Sequence, residues 1–193
     1  MKQERKMRLV DHAPVLCLVV GLTVWFWSSG GEWQRNVQGA HKEEGKAVLV
    51  GPRDGELLIR HGGELWIMLD GASSGSLAAG TQRVPQGAGI ALHRHMVADE
   101  ILYVLEGSAD GLLRGSDGKR TERRALERGS LLYVPRGSWH GIDNPLDNVT
   151  LLWVVSPPGL EGFFRDVASP FGDPTFQLTP EEMKEILLKH QME

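Results

Sequence analysis

From about residue 46 to residue 157 the apolar positions come in short runs rich in Val, Ile, Leu and Tyr: KAVLVG, GELLIRHGGELWIMLDG, SGSLAAGTQRV, AGIALHRH, EILYVLEGSADGLLRG, SLLYVPRG and VTLLWVVSP. Turn formers (Gly, Pro, Asp and Asn) punctuate them. Many short strands divided in this way predict an all-β sandwich or barrel over residues 46–157. Asp117-Gly118, between GLLRGS and KRTERRAL, is the strongest hairpin signal, because both residues tolerate the positive φ of a tight turn. No long internal repeat is present.

After Pro157-Pro158 the period lengthens. Leu160, Phe163, Phe164 and Val167 recur at i, i+3, i+4 and i+7, one face of a short helix. In TPEEMKEILLKH a second helix carries its own start signals: Thr179 caps it, Pro180 suits the first turn and Glu182 completes a capping box. Its apolar face is Met183, Ile186, Leu187 and His190. Residues 158–193 are therefore expected to be a helical extension packed on the outside of the barrel, closing one part of it. Phe163 and Phe164 read as core.

Ahead of the barrel the pattern is different again. Lys2, Arg5, Lys6 and Arg8 precede Ala13–Trp27, fifteen residues without a charge, which is the form of an export signal. The run falls short of the roughly 17 to 25 residues that span a bilayer comfortably. Ser28 and Gly30 supply small residues for cleavage, whereas Trp25, Trp27 and Trp33 resemble the interfacial aromatics of a retained anchor. Residues 1–30 are thus a signal peptide or a membrane anchor, and residues 31–45, polar and glycine-containing, a linker. Either form places the remainder outside the cytoplasmic membrane, periplasmic or extracellular, with membrane contact confined to this segment. Cys17 is the single cysteine, so no internal disulfide exists, and Leu16 makes it a poor lipidation site. The net charge of -4 and the lack of a Lys/Arg stripe argue against a nucleic-acid partner.

The chemistry lies in one strand. Side chains alternate along a strand, so His93 and His95 share a face, with Leu92 and Arg94 opposite, and two imidazoles on one rigid face make half of a metal site. Glu100 opens the next run, on the face of Leu102 and Val104, where a tight loop brings its carboxylate beside the histidines. Asp99, of opposite parity, is the weaker alternative and reads as solvated. His140, at the start of a later strand, is the candidate fourth ligand. Imidazole and carboxylate together suit Fe, Mn, Ni or Zn.

At these residues the chain resembles the cupin superfamily. The first cupin motif matches Gly87, His93, His95, Glu100 and Gly107, and the second matches Gly129, Pro135, Gly137, His140 and Asn144. The resemblance covers about residues 46–157. It implies a single jelly-roll-like β-barrel with His93, His95, Glu100 and His140 around one divalent transition metal, and a homodimer.

Three histidines and one carboxylate leave open positions on such an ion. Cupins resembling this one include quercetin-type dioxygenases, oxalate-degrading enzymes, sugar-phosphate isomerases and binding proteins, so the pocket has to discriminate. Parity and size nominate Trp66, Met68, Leu102, Val104, Trp139, Ile142 and Trp153 to line it. Arg94 points outward by parity, and Arg83 and Arg136 lie in or beside turns, so no phosphate-holding cationic pocket is visible. The expectation is a metal-dependent dioxygenase or related oxygenase for a small apolar or aromatic, oxygen-bearing substrate, with Glu100 as catalytic base. The alternatives are a non-enzymatic exported module that binds or senses metal and small ligand, and a sugar isomerase or lyase-type cupin.

Overall fold

The computed structural model describes residues 47–193 except 53, 115–118, 144–146 and 174. The expected signal or anchor, the linker, the Asp117-Gly118 turn and Asn144 lie outside the described residues. Among the described residues, no helix is long and apolar enough to cross a membrane.

Ten antiparallel strands among the described residues form two sheets. The larger contains β1 (Glu56–Arg60), β2 (Gly63–Leu69), β3 (Ala78–Val84), β5 (Asp99–Glu106), β8 (Leu131–Val134) and β10 (Val149–Ser156), in the order β1-β2-β3-β10-β5-β8. The smaller contains β4 (Gly89–His93), β6 (Ser108–Arg114), β7 (Thr121–Glu127) and β9 (His140–Asp143), in the order β4-β9-β6-β7. The fold is all-β and cupin-like, with few helices. Its neighbours are mostly distant in sequence, as β10 lying between β3 and β5 illustrates.

The larger sheet supplies most of the core. On β10, Val149, Leu151, Trp153 and Val155 alternate inward and are each at most 1% exposed. Leu102 and Val104 of β5, and Leu65 and Ile67 of β2, complete that face. Inward alternation of β-branched and large apolar side chains is what lets one face of an antiparallel sheet leave water.

Three departures from the sequence pattern are instructive. KAVLVG is not a strand: residues 47–50 lie outside both sheets, with Val48 and Leu49 exposed at 68% and 94%. The first ladder starts at Glu56 because β1 meets β2 across His61-Gly62, a two-residue turn with φ of 48° and 73°, the positive values a type I′ hairpin needs. Second, TERRALE pairs with β6 as the hairpin signal implied, but as a charged edge strand that buries only Leu126 in place of an apolar run; charge on an edge discourages further pairing. Third, a single helical turn, α1 (Gly71–Ser74), follows β2, capped by the Asp70 carboxylate on the Ser73 N–H.

The C-terminal helices match the periodicity. In α2 (Leu160–Val167) the buried residues include Leu160, Phe163, Phe164 and Val167, and Phe164 meets Trp153 edge-on at 5.1 Å between ring centroids. In α3 (Pro180–Lys189) the capping box is complete: Glu182 N–H donates to Thr179 Oγ1 at 3.2 Å and Thr179 N–H to Glu182 Oε2 at 2.8 Å. Asp166 of α2 accepts from Lys189 and His190, at 2.7 and 2.6 Å, tying the helices together. The chain then doubles back. Arg94 N–H donates to Glu193 O and Met96 N–H to Gln191 O, both at 2.9 Å, so residues 191–193 lie along the His93–His95 segment.

Candidate metal centre

His93 ends β4 and His140 begins β9, and the two are direct partners in the smaller sheet. Glu100 comes from β5 of the larger sheet, facing inward beside Leu102. His95 lies in the connection between them, bridged to Met192. The ligand-capable atoms of these four residues all fall within 4.8 Å of one another. The cluster is therefore drawn from both sheets and sits between them, with His95, Glu100 and His140 buried and His93 half-buried.

A β-bulge makes this possible. Ile90 pairs with Ile142 and His93 with His140, so β4 contains one residue more than β9 between the two pairs. In a regular strand Ile90 and His93 face opposite ways; the extra residue lets both line the same cavity. The turn delivering His140 is fixed to the ligand segment. Gly137, at φ 78°, donates its N–H to the His95 carbonyl at 2.7 Å. Asp99 accepts from the Arg136 backbone N–H at 2.9 Å and from its guanidinium at 2.9 and 3.1 Å. Those hydrogen bonds pull the Asp99 carboxyl down to about 2. Asp99 thus holds the Pro135–Ser138 turn and stands apart from the cluster.

Hydrogen bonding sets the tautomers. His93 Nδ1–H donates to the Ala91 carbonyl at 2.8 Å and His140 Nδ1–H to the Ser138 carbonyl at 3.1 Å, which turns each Nε2 lone pair toward the cluster. His140 Nε2 then faces Glu100 Oε2 at 2.8 Å, two acceptors in contact unless a proton or metal ion lies between them. His95 Nε2 is 3.3 Å from the same oxygen, buried and without a hydrogen-bond partner. Burial, with His140 and His95 nearby, pushes the His93 pKa down to about 3, so it stays a neutral imidazole. Burial pushes Glu100 upward, but the His140 and His95 imidazoles packed against it outweigh that and hold the carboxyl well below its usual range. Imidazole nitrogens, one of them buried and orphaned, and an ionised carboxylate are the donor set a divalent cation takes.

The cluster forms part of the wall of a cavity of about 270 Å³. Of the side chains expected there, Leu102, Ile142 and Trp153 line it. Trp66 and Met68 do not: Leu65 and Ile67 take the inward face of β2, which turns the alternate residues out. Val104 is buried in the core away from the cavity, and Trp139 is stacked between the guanidiniums of Arg94 and Arg114, at 5.0 and 5.1 Å. The C-terminal helices contribute Phe163, Phe164, Met183 and Leu187, so they close the cavity as well as packing on the core. Two basic residues, Arg60 and Arg83, also border it, contrary to the expectation that no cation lies near. Arg60 shares the face of Leu58, a parity visible in ELLIR once that run is placed in the barrel.

A family model for the Cupin domain matches residues 80–156. An uncharacterized protein of Methanocaldococcus jannaschii is 35% identical over 68 residues, 35% of this chain and 49% of the relative, so the chain matches about half the length of that curated relative. Among solved structures, KdgF from Halomonas sp. superposes at a TM-score of 0.51 with 21% identity, over 60% of this chain and 99% of that one, a likeness of fold.

Proposed function

We propose that this chain, whose residues 80–156 match the Cupin domain, is a cupin in which His93, His95, Glu100 and His140 hold one divalent transition metal, Fe, Mn, Ni or Zn, and that the protein is an oxygenase-type enzyme for a small oxygen-bearing substrate with an apolar or aromatic body. The observation that carries this reading is the convergence of three imidazoles and one carboxylate, of which His93, Glu100 and His140 line a largely apolar cavity. Held by those four residues, such an ion would supply Lewis acidity toward an enol or phenol oxygen of the substrate and open positions for dioxygen. Glu100 is the group that takes the proton: it is ionised at neutral pH, buried and at the cavity wall. Leu102, Ile142, Trp153 and Phe164 exclude water around the apolar body.

The test is oxygen uptake by protein reconstituted separately with Fe, Mn, Ni and Zn, over a panel of phenols and enols. Substrate-dependent uptake that Glu100→Gln abolishes supports the reading. Binding of panel members without uptake under any of the four metals replaces it with an exported binding module.

A homodimer belongs to the same proposal. Ile101 pairs with Tyr133 and Tyr103 with Leu131 on the outer face of the larger sheet, beside the free edge of β8, and Ile101, Leu131 and Tyr133 are 36%, 60% and 56% exposed. An apolar patch at an open sheet edge favours a covering partner. Sedimentation should give a dimer in the wild type and a monomer in Tyr133→Lys. Export rests on residues 1–30, and fusion of residues 1–45 to a reporter active only outside the cytoplasm tests it.

A further inference from the structure

We infer that Arg60 is an anion-binding residue at the edge of the cavity, and that the ligand is an organic monocarboxylate whose apolar body extends from that guanidinium toward the histidine cluster. The anion site stands on Arg60 alone; the extension to the cluster rests on the proposed metal centre.

Arg60 is the last residue of β1 and points to the inward side, two positions after Leu58, which packs on the core. Its ladder partner is Gly63, so no side chain competes for the space opposite. The guanidinium carbon lies 5.5 Å from the centre of the Phe163 ring, another cavity residue. Nη1 is buried and has no hydrogen-bond partner, and Arg60 has no ion pair among the described residues. Several other arginines are answered by carboxylates, although a buried nitrogen of Arg114, away from the cavity, also lacks a partner. Arg94 meets Glu193, Arg123 meets Asp110 and Asp143, Arg136 meets Asp99, and Arg165 meets Glu56 and Asp70. A guanidinium stays charged in proteins, so a buried, unanswered one is unfavourable until an anion reaches it.

The basic groups at the cavity favour a monoanion. Burial and the adjacent Arg60 push the His61 pKa down, so this second basic residue at the cavity stays neutral. Arg83, on the outward face of β3, is exposed. One fixed cation suits a carboxylate, which a guanidinium grips with two parallel hydrogen bonds, better than a phosphate dianion, which calls for more than one. A cavity of about 270 Å³ with apolar walls admits a body of about phenyl size behind that carboxylate.

The experiment compares 3-phenylpropionate with its neutral amide, with acetate as the short carboxylate, by calorimetric titration of the full chain in metal-loaded and chelator-treated forms. The wild type should bind the acid at least tenfold tighter than the amide in both forms. Arg60→Met should bring the two ligands level while leaving metal content unchanged. Arg60→Gln, which keeps hydrogen-bonding capacity without charge, serves if Arg60→Met does not fold. His140→Ala should retain the acid preference in full, which separates failure of the metal centre from failure of the anion site. Equal binding of acid and amide by the wild type, no binding of any of the three, or a preference that survives in the Arg60 variants overturns the inference.

Discussion

The two ends of the cavity are built by different means. At the cluster end, four side chains arrive on strands and tight connections, their rings aimed by backbone carbonyls of Ala91 and Ser138, and the connecting turn is pinned by Gly137 and Asp99. At the other end, Arg60 leans on Phe163, and the wall comes from α2 and α3, whose residues are separated from β1 by about half the chain. The first end is polar and aimed by hydrogen bonds to the backbone. The second is apolar, assembled by side-chain packing, and contains an unanswered cation. Chemistry needs ligand atoms at fixed separations, which strands and backbone hydrogen bonds supply. Recognition needs a shaped surface that can change without disturbing those separations, which packed helices supply.

If the ends are separable in this way, the largest effect should come from the cluster. His93→Ala, His95→Ala or His140→Ala should lower metal affinity by roughly a hundredfold or more, and Glu100→Ala should act in the same direction but less. Metal-dependent stabilisation should vanish with occupancy; it amounts to about 4 kcal/mol where the metal is present at a thousand times its Kd. A second histidine removal should add little, since the ion is already lost. Elemental analysis, with melting curves in the presence and absence of chelator, measures all of this. His61→Ala and His190→Ala should leave occupancy unchanged, although His61 lies at the same cavity. Equal metal content in wild type and His140→Ala would erase the distinction between the ends.

The next effect belongs to the helical end. Leu187→Asp places a carboxylate against the core and the cavity, and should cost about 2 to 4 kcal/mol in stability without altering metal content. Thermal melting of the loaded protein reads it, and an unchanged Tm would mean that α3 is not docked in solution.

Acid should act on the cluster end first. The His93 pKa is depressed from 6.5 to about 3, so between those values the unfolded chain takes up a proton that the folded one refuses, and stability falls with falling pH. The slope can reach about 1.4 kcal/mol per pH unit from this residue. Glu100 adds to it below the ordinary carboxyl value of 4.5, because its carboxylate is favoured in the fold and that stabilisation is lost as pH falls toward about 2. Denaturant midpoints of chelator-treated protein from pH 7 to pH 4 should decline, and His93→Gln should flatten the upper part of the curve. Smallest of all, Asp99→Asn should weaken metal binding by about tenfold at most, through a looser Pro135–Ser138 turn, with Tm nearly unchanged.

The identity of the four clustered residues, the all-β class and both C-terminal helices could be read along the chain, because each depends on local relations: a ligand spacing, a strand alternation, a 3.6-residue period, a capping box. What the chain did not reveal is which way each strand faces. Alternation in GELWIML is plain, yet Leu65 and Ile67 go inward while Trp66 and Met68 go out, and only the ladders with β1 and β3 decide the phase. The bulge that turns both Ile90 and His93 inward follows from pairing with β9, about fifty residues away. KAVLVG is apolar enough for a strand and finds no ladder, whereas the charged TERRALE pairs fully with β6, as the hairpin signal ahead of it implied. Arg60 reads as a surface arginine until Phe163 closes over it. Local sequence sets the period and the chemistry of the side chains, but the register and inward face of a strand are settled by hydrogen-bond partners and burial far along the chain, and these only the assembled structure contains.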